Sequence, residues 1–125
     1  YCLPIPGATR DTVRAPDASF VRRGVLPDDE VPIGFLCCTP DLAIEVLSPD
    51  DRPGELAERM ADYVAAGTRC IWVVDPEERA VYVHRPDEFS KVLEEPDDLT
   101  GNGVLPDFRC KVADLFALPG PAAAP

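Results

Sequence analysis

Glu45 is the one ionisable residue inside the apolar run Leu42–Leu47. A carboxylate in a buried strand is costly unless it is paired, protonated or bound to a cation. A salt bridge or a strand-edge position would satisfy it, and so would a divalent metal ion. An ion would need a second acid close by. Asp41 shares the strand and the face, but at ~3.3 Å per residue its Cα lies roughly 13 Å away, too far for one small cation bound at ~2.1 Å. The partner must therefore come from another strand. Asp17 is the better candidate. If Asp17–Arg22 and Asp41–Leu47 pair antiparallel, Asp17 falls beside Glu45–Leu47 and Asp41 beside Arg22. The plainer reading of Asp17 is turn chemistry after Pro16.

Arg59 is the third residue of interest. Leu56, Met60, Tyr63 and Val64 fall at i, i+4, i+7 and i+8, one apolar stripe of a helix over 53–66. Asp50 or Asp51 is placed to cap this helix, Pro53 suits its first turn, and Gly67 stands where a left-handed C-terminal residue is wanted. On this helix Arg59 lies roughly 60° from Leu56, at the edge of the buried stripe. A guanidinium there meets the carboxylates or a scissile phosphate. Alternatively, it snorkels to solvent.

The elements that must position these side chains read as follows. Residues 1–16 form an extended, turn-rich start, with Pro4, Pro6, Gly7 and Pro16. Ala18–Arg22 is short and partly β-like, and 22–34 is loop chemistry. Asp41–Leu47 and Cys70–Val74 read as buried strands. Ala80–His84 alternates as the hairpin partner of Cys70–Val74 across the turn Asp75–Glu78. Lys91–Glu94 adds a further strand, 97–103 is a polar loop, Val104–Cys110 is apolar again, and Val112–Phe116 closes as a helical turn. A helix crossing between two buried strands predicts a mixed α/β sheet. One domain is expected over 1–118, with a flexible Pro/Ala-rich tail at 119–125.

Composition bounds the function classes. A chain of 125 residues with 46% hydrophobic residues suits one packed domain. The net charge of −11 argues against a protein that coats nucleic acid by its surface field. No stretch approaches a membrane span, and residues 1–16 show no charged, apolar and small-residue leader pattern, so no secretory signal is expected from them. The five cysteines fit neither a disulfide framework nor a zinc motif, so structural thiols and a reducing cytoplasm are expected.

Other residues carry less. His84 is the sole histidine, on an exposed strand, and no serine-hydrolase elbow accompanies it. Asp75, before Pro76, is a turn former. Trp72 and Tyr63 are core residues rather than a stacking platform. Glu94, Glu95, Asp97 and Asp98 form a solvated loop without calcium-loop spacing.

Taken together, the segments ArgAlaProAsp17AlaSerPheVal, ProAspLeuAlaIleGlu45ValLeuSerPro, AspTyrValAlaAlaGly, IleTrpValValAspPro, ValTyrValHisArgPro and GlyValLeuProAspPheArg resemble the Uma-type restriction endonucleases of the PD-(D/E)XK nuclease superfamily. The resemblance covers about residues 11–118. It implies a restriction-endonuclease-like mixed sheet with a crossover helix. It also implies Mg²⁺, or alternatively Mn²⁺, held by Asp17 and Glu45, with DNA as substrate. Arg59 stands where the family places a lysine on the following helix, and Leu47 stands where the superfamily lysine commonly lies. Family members usually carry a longer N-terminal region, so the chain is expected to be N-terminally truncated. Nucleases of this kind often pair as homodimers to cut two strands. A second expectation is a catalytically inactive nuclease-fold remnant that serves as a binding or interaction module. Arg59, the short N-terminus and the charge favour it, whereas Asp17 and Glu45 favour the enzyme.

Overall fold

The computed structural model describes residues 1–101 and 103–117. The expected tail at 119–125 lies outside them. The centre is a five-stranded mixed sheet in the order β3-β4-β5-β6-β7, formed by Ala18–Phe20 (β3), Leu42–Val46 (β4), Cys70–Asp75 (β5), Ala80–His84 (β6) and Lys91–Leu93 (β7). β4 and β5 are parallel, with Leu42 opposite Cys70 and Glu45 opposite Val73, and the other neighbours are antiparallel. A parallel pair needs a crossover, and the helix α1 (Pro53–Ala66) supplies it.

α1 forms where the apolar stripe and its end signals agree. Pro53 occupies the first turn, and Gly67 takes the left-handed conformation (φ 96°) that ends the helix. The Thr39 hydroxyl donates to the carbonyl of Ala66 at 2.8 Å, satisfying one of the free C-terminal carbonyls. The N-terminal cap differs from expectation. Arg52 is the capping residue and gives no side-chain hydrogen bond. Asp51 instead accepts the Ser48 amide at 2.8 Å, closing the turn before the helix.

The sheet is covered on both faces. On the α1 face, Ala43, Ile71 and Val73 pack with Tyr63 and Leu3, flanked by Leu47, Leu56, Met60 and Val64. On the other, Leu42, Cys70, Trp72, Val81 and Val83 pack against Leu99, Val104 and Val112. Trp72 meets Phe108 with ring centroids 5.7 Å apart. The core roles expected of Trp72 and Tyr63 hold.

Two small pairings fell outside the sequence reading. The extended start contains a two-stranded sheet, β1 (Cys2–Leu3) with β2 (Thr12–Val13), which brings Leu3 onto the α1 face. The polar loop expected at 97–103 holds β8 (Asp98–Thr100), paired with β9 (Arg109–Lys111) ahead of the short α2 (Val112–Leu115). Asp98 pairs there with Arg109 and Lys111, while Leu99 points inward. A polar-apolar-polar triplet is the minimum signal of a half-buried strand, and it is too short to separate from a loop by pattern. Among the described residues, no helix is long and apolar enough to cross a membrane.

Candidate active site

β3 and β4 bring the first two acids together. Ala18 pairs with Ile44 and Phe20 with Leu42, so the same register continued by one residue sets Asp17 across from Glu45. Directly opposed residues of an antiparallel pair share a face. Asp17 Oδ2 accepts the amide of Val46 at 2.7 Å. Asp41 lies at the other end of the pair, where its Oδ2 accepts the Arg22 amide at 2.9 Å. Both placements agree with the antiparallel register read from the sequence.

Glu45 faces α1. It is 4% exposed, and its Oε1 accepts the Tyr63 hydroxyl at 3.0 Å. Arg59 Nε stands 3.7 Å from the same oxygen, an ion pair at the edge of the recess. Tyr63 and Arg59 are one helical turn apart, so both reach the sheet from one face of α1. Burial pushes the Glu45 carboxyl above its ordinary value. The Tyr63 hydrogen bond and the Arg59 charge pull it back, and the charges of Asp17 and Asp51 push it further up. Burial, together with the Glu45 charge, also raises the Tyr63 phenol well above its usual range, so it is a hydroxyl donor at neutral pH.

Asp17, Glu45 and Arg59 line one open recess of about 300 Å³, with Ser48 and Asp51 on its rim. All three candidates from the sequence are therefore in one place. Sequence reasoning missed Tyr63 as a site residue, because its position in the apolar stripe accounts for the ring and says nothing of the hydroxyl. Asp51, a candidate helix cap by sequence, lines the recess instead.

The donor set suits a small hard cation. Mg²⁺ takes oxygen ligands, keeps several waters and often binds through one or two carboxylates. Asp17 and Glu45 supply carboxylate oxygens at one recess, and an ion there would offset the burial and, to a lesser degree, the Asp17 charge that raise Glu45. Among the described residues, no three His, Cys, Asp or Glu side chains cluster as a ready-made cage. The acids suit a hydrated ion, not a closed structural site.

The remaining candidates take the bland roles expected of them. Asp75 Oδ1 accepts the amides of Glu77 and Glu78, forming the turn after β5. His84 Nδ1 lies 2.9 Å from Ser90 Oγ, away from the recess. Glu95 pairs with Arg79, and Asp97 accepts the Glu94 amide. Cys70 is buried in the core.

A family model named Uma2 and described as "Putative restriction endonuclease" matches residues 2–113. The chain belongs to the Uma2 family. The match takes in both acidic strands, α1 and the β5–β6 hairpin of this Uma2 chain. Among solved structures it is similar to one described as a "putative nuclease belonging to DUF820" from Anabaena variabilis ATCC 29413. The two share 31% identity at a TM-score of 0.69, over 85% of this chain and 60% of that one. The Uma2 chain thus has a nuclease-like α/β fold and spans 60% of the length of that relative. No curated protein matches it.

Proposed function

We propose that this chain is a Mg²⁺-dependent nuclease hydrolysing DNA phosphodiester bonds. The observation that carries the reading is the buried carboxylate of Glu45, opposed across β3 and β4 by Asp17 at a recess that Arg59 also lines. Asp17 and Glu45 would hold the ion. Such an ion neutralises charge on a phosphate and makes a water easier to deprotonate.

The chain's own residues account for the rest. Glu45, desolvated against α1, presents its charge at the recess rather than to bulk water. Asp17 is tethered to the β4 backbone by its bond to Val46, which fixes its approach to Glu45. Arg59 offers a permanent positive charge to a phosphate oxygen as negative charge develops during attack. A guanidinium does not lose its proton under these conditions, so Arg59 stabilises charge and is not the base.

Calorimetry with Mn²⁺ and Mg²⁺ tests the site directly. Wild type should bind, while Glu45→Ala and Asp17→Ala should not. Plasmid cleavage under the same conditions tests the chemistry. Binding without cleavage, or no cation binding at all, would support the second reading, a catalytically inactive nuclease-fold remnant that serves as a binding or interaction module. The Arg59–Glu45 ion pair favours this reading, because it partly satisfies the buried charge without a metal. Absence of cation binding in wild type would refute the metal site itself.

A further inference from the structure

We infer that Tyr63 is a positioning residue for Glu45, holding one carboxylate oxygen against α1 so that the other is offered to the recess shared with Asp17. The inference deepens the metal-site reading above and rests on it.

Tyr63 is 0% exposed. Phenylalanine would fill nearly the same volume in the cluster of Leu3, Ala43, Ile71 and Val73. A buried hydroxyl is a liability unless it is bonded, so its presence requires a partner. That partner is Glu45 Oε1, at 3.0 Å. Arg59 does not replace it. Its Nε lies 3.7 Å from Oε1, beyond a good hydrogen bond, and makes no other hydrogen bond. Tyr63 is therefore the hydrogen-bond donor to the Glu45 carboxylate among the described residues.

The geometry has a directional consequence. Both contacts from α1 fall on Oε1. Glu45 also lines the recess with Asp17 and Asp51. A glutamate has three side-chain torsions, and its terminal one is broad. Fixing Oε1 from the helix side removes most of that freedom and leaves Oε2 for the recess. Outer groups that orient a ligating carboxylate typically change metal affinity by about 10–100-fold when removed.

Tyr63→Phe removes the hydroxyl and keeps the ring. It should fold, as judged by circular dichroism and thermal melting, and bind Mn²⁺ about 10-fold more weakly by calorimetry. An independent measurement uses the metal-free protein. The buried Tyr63 hydroxyl proton should give a slowly exchanging resonance in wild type, identified by its loss in Tyr63→Phe. It should move upfield in Glu45→Gln, where the acceptor loses its charge. A hydroxyl signal indifferent to Glu45→Gln, or Tyr63→Phe binding Mn²⁺ as tightly as wild type, would overturn the assignment. If wild type binds no Mn²⁺ while the hydroxyl still responds to Glu45→Gln, the clamp stands and the metal reading is what fails.

Discussion

Asp17 is bound to the backbone of β4 at the residue immediately after Glu45: its Oδ2 accepts the Val46 amide at 2.7 Å. The side chain thus does two things at once. It adds a bond to the strand pair and it sets a negative charge beside a buried one. The two contributions separate by substitution. Asp17→Asn keeps an acceptor for Val46 and loses the charge, whereas Asp17→Ala loses both. Both variants should lose Mn²⁺ binding, and only the alanine variant should lose stability, by about 1 kcal/mol in denaturant unfolding. Equal stability of Asp17→Ala and wild type would show that the bond contributes nothing to the fold.

Glu45 should make the metal-free protein sensitive to pH in a defined direction. Burial holds its folded carboxyl above the ordinary value of 4.5, so the folded state keeps its proton more readily than the unfolded chain. For a raised group, the stabilising contribution is full below the ordinary value and is lost as pH rises through the folded value. Glu45→Gln removes that titration and still leaves an oxygen for Tyr63. Its thermal midpoint relative to wild type should therefore climb with pH above 4.5 and converge below it. A constant difference across that range would mean that Glu45 does not titrate in the folded protein as its burial requires.

Arg59→Lys should keep or raise any nuclease activity. A lysine at the edge of the recess retains the positive charge and gains the ability to give up a proton when desolvated. Its rate should rise toward alkaline pH more steeply than that of wild type. Arg59→Ala should lower cleavage, because it deletes the charge altogether and strips Glu45 of its ion-pair partner. Plasmid nicking at several pH values measures both. A sharp loss in the lysine variant would assign a task to the guanidinium that an ammonium cannot perform, such as bidentate contact with phosphate.

Gly101 tests the less legible part of the fold. It is buried, its amide bonds the carbonyl of Phe108, and its own carbonyl accepts the amides of Val104 and Leu105. A Cβ at this position would overlap the backbone carbonyl of Leu105, which cannot swing away as a flexible side chain does. Gly101→Ala should destabilise by about 1–3 kcal/mol in denaturant unfolding. A neutral result would mean that the turn after β8 relaxes at little cost.

The sequence carried the sheet centre and the acid pair because strong local signals coincided there. Leu42–Leu47 and Cys70–Val74 are apolar runs of strand length, the stripe from Leu56 to Val64 has one period, and Glu45 breaks a pattern that leaves no cheap place for a charge. An antiparallel pairing of β3 with β4 sets Asp17 beside Glu45 by register, and that pairing is the one the sheet adopts. The missed pieces lacked such signals. β1, β2 and β8 have two or three residues each, too few for alternation to separate a strand from a loop. The hydroxyl of Tyr63 was invisible because helical periodicity registers a ring and is silent about what an oxygen at its tip will meet.

The strand pairings that build the recess all join distant stretches of chain: Ala18 to Ile44, then Leu42 to Cys70 across the whole of α1. Contacts of this kind form late, after the intervening loops have closed. Asp17, Glu45 and Tyr63 come from three separate segments, and no single local element holds them together. The recess is thus a property of the assembled sheet: it is complete only when β3, β4 and β5 lie side by side and α1 has been laid across them.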